Sequence, residues 1–532
     1  MFSLLIRNGT VCDGDGTPPF KADIAVGGDC IEAVGSLGGA AAGVEIDAEG
    51  CVVAPGFIDV HSHADLHLLS DGLSLPKLMQ GVTTEVVGNC GLSLVPARAA
   101  DSKALREYLE GVLGNYEVPF IGTSLPEYMD ALEEQGTAVN VASLTAHGSL
   151  RRKVMGLENA PPSGEHLDAM RAGVEEAMDA GAAGLSTGLA YPPAFYAKTD
   201  ELTALCKAVA RRGGVFSIHI RSEANFLIES IEEALTIARE SGVSIEISHL
   251  KAYGAHNWHK AEKALMVIEH AREEGVDVSF DSYPYTYGST ILAALLPPGI
   301  LSDGADLVSL LADSAVRERI KREIMNESPG TENYATALGF DGLWKAILFS
   351  GGSSGLNERY EGMPLGDIAE ASGESPVDVI LKLLQDEGGS AAMLVNGMNQ
   401  ENVDEIARHP LHMWGSDGLY GGKPHPRTYG TFARVLEDFV CRRQVLTLPE
   451  AVRHMTSRPA EKFGLKGRGR LSKGYFADIA IFRLDEVRER AAIKEPRLFP
   501  EGIEAVIVNG KIAASKGRPT GEKPGRMLRK RG

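Results

Sequence analysis

The sequence predicts an α/β protein: a TIM-like (β/α)8 barrel, with a small β-sandwich domain formed from both chain ends and an inserted lid-like segment. Three observations carry this expectation. Eight short apolar runs alternate with helical stretches through the middle of the chain, both ends have the texture of hairpins, and one gap between consecutive strands is far too long for a single helix.

The first 54 residues hold LLIRNGTV, ADIAVGGDCIEAVG and VEIDAEGCVVAPG, β-branched runs separated by Gly and Asp turns. LLIRNGTV reads as a strand entering a Gly turn. The end of the chain repeats this texture in GYFADIAIFRL and IEAVIVNGKIAAS, so 1–54 and 465–532 are expected to meet as one small sandwich beside a barrel spanning 55–464. Eight barrel strands are expected: FIDVHSHA (57–64), TTEVVGNCG (83–91), VNVASLTAHG (139–148), AGLSTGL (183–189), VFSIHIR (215–221), SIEISHL (244–250), VDVSFDSYPY (276–285) and LHMWGSDG (411–418). Between them, stretches such as 165–179 and 230–240 carry apolar residues at i, i+3, i+4 spacing and read as helices. Residues from about 286 to 375, with Pro297-Pro298, Gly351-Gly352 and Ser353-Ser354, form the insertion. At the catalytic end of a barrel it would serve as a lid; the alternative is a purely structural excursion.

Composition narrows the partners. With 532 residues, 44% of them hydrophobic, the chain can bury a large core. A formal net charge of -19 argues against nucleic acid or an anionic membrane and favours a small-molecule partner. The one basic concentration, 516–531, has seven Lys and Arg against Glu522 and reads as a solvated end. No secretion-type leader and no membrane-length apolar run is visible, which makes a cytoplasmic location the expectation. The six cysteines are widely spaced without a CxxC, so most read as core thiols. Oligomeric state is not legible.

The chemistry lies in where His, Cys and Asp fall. His61 and His63 flank Ser62 on an extended segment, so period-two alternation sends both to one face. Cys90, His219, His249 and Asp417 each close a different expected strand, and in a barrel those ends converge on one mouth. Imidazole, thiolate and carboxylate together suit zinc rather than magnesium or calcium. Six such groups exceed one tetrahedral ion and suggest a tight and a weak position bridged by the Cys90 thiolate. Each residue alone has a plainer explanation, a satisfied core His or a turn thiol; it is their joint placement that points to a metal.

At these residues the chain resembles the amidohydrolase superfamily and, within it, the N-acyl-D-amino acid deacylases (D-aminoacylases). The resemblance runs in order through APGFIDVHSHAD (54–65), GVTTEVVGNCG (81–91), GLSTGLAYPP (184–193), HIRSE (219–223), SHLK (248–251), DSYPYTYGST (281–290), GSDG (415–418), HPRTYGTFARVL (425–436) and MTSRPAEKFGL (455–465). Two-metal amidohydrolases commonly bridge their ions with a carboxylated lysine, which LSTGL lacks. The deacylase branch uses the cysteine of GNCG, here Cys90. The resemblance implies a tight zinc on Cys90, His219 and His249, and a weaker position on His61, His63, Cys90 and Asp417. It implies Asp417 as the general base that later protonates the leaving amine. For the substrate carboxylate it points to Lys251, Tyr283, Ser289 and Arg427, of which Arg427 could grip through two parallel hydrogen bonds, or could be a surface Arg in a Pro-bracketed turn. The implied activity is zinc-dependent hydrolysis of N-acyl-D-amino acids to a carboxylate and a free D-amino acid.

Competing readings are a relative acting on a cyclic amide, lactone or other N-acyl compound, a barrel scaffold without catalysis, and a metal-dependent deaminase using Glu223. His147 in TAHGSL reaches the mouth and could contact substrate or be structural, while Glu223 reads as a rim brace. Arg151, Arg152 and Arg221 are candidates for an extra cation that an acidic substrate would require.

Overall fold

The computed structural model describes residues 1–120, 122–301, 307–324, 342–352 and 354–530; Ser353 of the Ser353-Ser354 pair lies outside them. Eight parallel strands form the barrel: Phe57–Asp59, Val82–Val87, Asn140–Ala146, Gly184–Gly188, Val215–His219, Ser244–Ile247, Val278–Ser282 and His412–Trp414. Each pairs with its neighbours in chain order, and the first and last strands are joined by a parallel bridge between Ser62 and Gly418. Strands such as Asn140–Ala146 are buried along their whole length, as befits a sheet covered on both faces.

The connecting helices follow from the expected patterns. Gly164–Asp179 starts where the Ser163 hydroxyl accepts from the His166 N–H, and it buries Met170, Val174, Ala177 and Met178 on one stripe. Leu227–Ser241 ends at Gly242, whose φ of 72° permits the left-handed stop.

After the seventh strand the chain leaves the barrel. Tyr287–Ile291, Ile347–Gly351 and Ala392–Asn396 make a three-stranded antiparallel sheet with Ala392–Asn396 in the middle. The excursion therefore runs past the expected end near 375, because its central strand comes last. The barrel resumes with the helix Gln400–Arg408.

Both chain ends contribute to one nine-stranded sheet. Ile479–Phe482 pairs antiparallel with Val52–Pro55, which joins the C-terminal strands to the N-terminal ones. Leu4, Ile6, Ile24, Val53, Ile481 and Ile507 fill a core separate from that of the barrel. Asn8-Gly9 is a bulge rather than the expected turn: the strand Phe2–Val11 continues through it with a register shift between Ile6 and Gly9, and Asn8 sits at φ 61°.

The basic tail is solvated over 516–523, as expected, but its later part docks on neighbouring elements. The Gly525, Leu528 and Lys530 N–H groups donate to the carbonyl oxygens of Thr137, Val141 and Gly181 at 2.7, 2.7 and 2.8 Å. Arg526 pairs with Asp29, and Arg529 with Asp130 and Glu133. This later part binds acids on neighbouring elements, a pairing that composition alone conceals. Among the described residues no helix is long and apolar enough to cross a membrane.

Beneath the eighth strand, His412 and His454 are buried with their Nδ1 atoms 3.3 Å apart. Burial, then Arg458, pushes His454 down to about 3. The folded chain keeps this ring neutral, whereas the unfolded chain protonates it below about 6.5, so its contribution is present above that pH and is lost in acid. Between pH 7 and pH 5.5 the loss is about 1 kcal/mol. Denaturant midpoints should fall further over this interval in the wild type than in His454→Gln; equal falls would contradict the assignment.

Candidate metal centre and substrate pocket

The strands end earlier than the sequence suggested, and the difference shapes the site. Of the four residues expected to close strands, His219 does so; Cys90, His249 and Asp417 lie two to three residues beyond Val87, Ile247 and Trp414. All three adopt left-handed backbone, with φ of 54°, 37° and 47°. Such conformations cost on the order of 1–3 kcal/mol each and persist where the surroundings impose them.

The turn bearing Cys90 shows how it is imposed. Gly88 and Gly91 flank it at φ 79° and 66°, and a Cβ on Gly88 would come within 2.3 Å of the Leu144 carbonyl oxygen. The Asn89 amide donates to Val86 O at 2.9 Å, and the Gly91 N–H donates to Ser186 Oγ at 3.0 Å. Asp417 is held similarly, its N–H donating to His61 O at 2.8 Å across the barrel seam.

The ligand-type atoms converge in two overlapping groups, His61, His63 and Cys90, and Cys90, His219 and His249, each with all atoms within 4.8 Å of one another. Cys90 Sγ lies 3.3 Å from His61 Nε2, 3.5 Å from His249 Nε2 and 3.9 Å from His219 Nδ1. Zinc bonds of about 2.0–2.3 Å give tetrahedral edges of about 3.3–3.8 Å, a range that the His61 and His249 spacings fall within and the His219 spacing slightly exceeds. His219 Nδ1 and His249 Nε2 face each other at 2.9 Å. Asp417 Oδ1 is 3.3 Å from His63 Nε2 and 3.6 Å from His61 Nε2.

Electrostatics also fit a cation. Burial pushes His219 down to about 3 and lowers His61, His63 and His249, which keeps the imidazoles neutral and able to bind metal. Burial, then Asp417, Asp281 and Glu223, raises the Cys90 thiol well above its ordinary value. A thiol among carboxylates ionises when a strong cation sits beside it. Oriented partners stand behind the rings: Asp281 Oδ2 is 3.1 Å from His61 Nδ1 and Glu223 Oε1 is 2.8 Å from His249 Nδ1, while the His249 backbone N–H donates to Asp281 Oδ1 at 3.0 Å. The two ring contacts turn the opposite nitrogens toward Cys90.

Above this cluster lies a narrow, partly open cavity. Lys251, Tyr283, Ser289 and Asp417 line it. Arg427 is fully buried, so the surface-turn alternative is corrected: its helix, Arg427–Arg434, begins inside the barrel mouth. Its Nη2 pairs with Asp417 Oδ2 at 2.8 Å and donates to Ser289 O at 3.1 Å, and its guanidinium lies 4.4 Å from the centre of the Tyr283 ring. Its Nε and Nη1 make no hydrogen bond. Burial alone would raise the Asp417 carboxyl, but Arg427 and His63 outweigh it and hold that group well below the usual carboxylate range.

Four residues were missed or underrated in the sequence reading. Asp281 touches two of the candidate ligands, and Tyr191 lines the cavity while sharing a hydrogen bond with Thr290 at 2.9 Å. Glu223 is no mere rim brace: it lines the cavity and is bonded to both His249 and Lys251. His425 Nδ1 accepts from the Arg427 N–H at 2.9 Å, fixing the start of that helix. The His-x-Arg spacing and the strand-end position of Asp281 were the available signals. His147 instead bonds Thr187 and Glu201 away from the cavity, a structural role.

A parallel barrel with a thiol, four imidazoles and a carboxylate at its mouth defines a class of metal-assisted hydrolase scaffold, and the chain belongs to the amidohydrolase family, whose pattern matches residues 44–514. Within that family it is similar to D-aminoacylase from Alcaligenes xylosoxydans xylosoxydans, 37% identical over 99% of this chain and 97% of the other. Its fold matches N-acyl-D-glutamate deacylase from Bordetella bronchiseptica in complex with zinc and a phosphonate mimic of the tetrahedral intermediate, with TM-score 0.84, 34% identity and 99% of each chain covered. A D-aminoacylase structure with a binuclear metal centre, described as activated by one metal and attenuated by a second, matches equally, with TM-score 0.84, 33% identity and 100% of each chain covered.

Proposed function

We propose that this chain hydrolyses the amide bond of N-acyl-D-amino acids with zinc, releasing a carboxylate and a free D-amino acid. The observation that carries the reading is the convergence of Cys90, His219 and His249 beside Asp417, under an arginine with two unpartnered nitrogens. Cys90, His219 and His249 would hold the tight zinc; His61, His63, Cys90 and Asp417 would form a weaker position. Bound there, zinc supplies Lewis acidity toward the amide carbonyl and a hydroxide source near neutral pH.

This chain's own residues do the rest. Arg427 takes the substrate carboxylate through its unpartnered Nη1, with Lys251, Tyr283 and Ser289 around the same group. As Arg427 is neutralised by that carboxylate, its hold on Asp417 relaxes and Asp417 becomes a better base. Asp417 takes the proton of the attacking water at a carboxylate oxygen and delivers it to the amide nitrogen as the C–N bond breaks. One proton is taken and one given, so Asp417 returns to its starting state.

A small-molecule substrate and a cytoplasmic location go with this reading, in keeping with six cysteines of which none forms a disulfide. The test is hydrolysis by zinc-reconstituted protein of N-acetyl-D-amino acids, their L-forms and hydantoins. Cleavage of the D-forms is expected; activity confined to the cyclic compounds would overturn the proposal.

A further inference from the structure

The relatives act on substrates of different charge, and the cavity of this chain carries the information needed to choose between them. A carboxylate entering a buried pocket is stable there when a cation meets it. Among the described residues lining the cavity the cations are Lys251 and, reaching it from its wall through Asp417 and Ser289, Arg427. Lys251 is bonded to Glu223. Arg427 is bonded to Asp417 and to Ser289 O through Nη2; its buried Nε and Nη1 have no partner but lie on opposite sides of the guanidinium, so of the two only Nη1 is left for a carboxylate, and for one alone. The remaining walls include Leu92, Val112, Val395 and Leu419.

Among the described residues no other Lys or Arg lines the cavity. Arg151 is spent on Glu201 and the carbonyl oxygens of Pro193 and Ala160. Arg221 is spent on Glu233 and the carbonyl oxygens of Phe195 and Ala197. Arg152 lies over the Tyr108 ring, 5.4 Å from its centre, and lines no part of the cavity. Residues 302–306 and 325–341, outside the described set, contain no Lys, Arg or His, so they have no cation to add.

We infer that the site is specific for N-acyl-D-amino acids whose side chain and acyl group are both uncharged and apolar, of the D-leucine, D-methionine or D-phenylalanine kind, and that it rejects acidic ones. The inference rests on the function proposed above and deepens it. The α-carboxylate uses Nη1 of Arg427. A second carboxylate, on the side chain or on the acyl group, would face Leu92, Val112, Val395 or Leu419 and stay unpaired.

The test uses the zinc-loaded full chain. kcat/KM is measured for N-acetyl-D-leucine, -D-methionine and -D-phenylalanine against N-acetyl-D-glutamate and -D-aspartate, and for N-acetyl- against N-succinyl-D-leucine. The uncharged compounds should lead by about 100-fold. A lead above about tenfold supports the inference, and a smaller lead or a preference for the acidic compounds overturns it while leaving the proposed function standing. Silence across the whole panel would instead bring down the proposed function, and this inference with it.

Discussion

Replacing Asp417 by Asn should lower kcat on N-acetyl-D-amino acids by about 1,000-fold, with the protein still folded. The amide keeps the size of the side chain and its reach toward His61 and His63, which stand 3.6 and 3.3 Å from the native carboxylate. What it loses is the ability to take a proton and return it. Because the neutral amide no longer offsets the charge of Arg427, the guanidinium is left with more capacity for the substrate carboxylate, so KM should stay level or fall. A change carried by kcat alone separates proton transfer from damage to binding. Steady-state kinetics, with thermal melts as a check on folding, would contradict the base assignment if kcat fell less than about tenfold.

The second large effect is expected at Cys90. Cys90→Ala removes the atom shared by both groups of ligand-type side chains, 3.3 Å from His61 and 3.5 Å from His249. Zinc retained after dialysis should fall severalfold, and hydrolysis of the D-substrate should fall by about 1,000-fold or more. Cys441→Ala, at an exposed thiol, is the matching control and should change neither quantity. If Cys90→Ala kept its zinc and its activity, the thiolate would have no part in the centre.

The barrel could be read from the sequence because each of its strands is a short apolar run buried on both faces, bounded by helices with a clear stripe such as Met170, Val174 and Met178. The ligand types could be read because His, Cys and Asp recur just past those runs. The left-handed turns at Cys90, His249 and Asp417 could not, since no local signal distinguishes them from the end of a strand; contacts from neighbouring strands impose them. Asp281 and Glu223 were missed or underrated because a carboxylate that orients a ring looks in sequence like any other strand-end acid. The later part of the tail misled for a similar reason: its arginines meet Asp29, Asp130 and Glu133, partners remote in the chain. The excursion ran longer than expected because the strand that completes its sheet, Ala392–Asn396, arrives last.

The account stands or falls on zinc held by Cys90, His219 and His249 acting on a D-configured amide. Its most direct test follows cleavage of N-acetyl-D-leucine and N-acetyl-L-leucine by metal-stripped protein as zinc is titrated in. The account predicts no cleavage without metal, activity on the D-substrate restored by about one equivalent of zinc, and little on the L-form. Full activity in the stripped protein, or equal cleavage of both enantiomers, would contradict it.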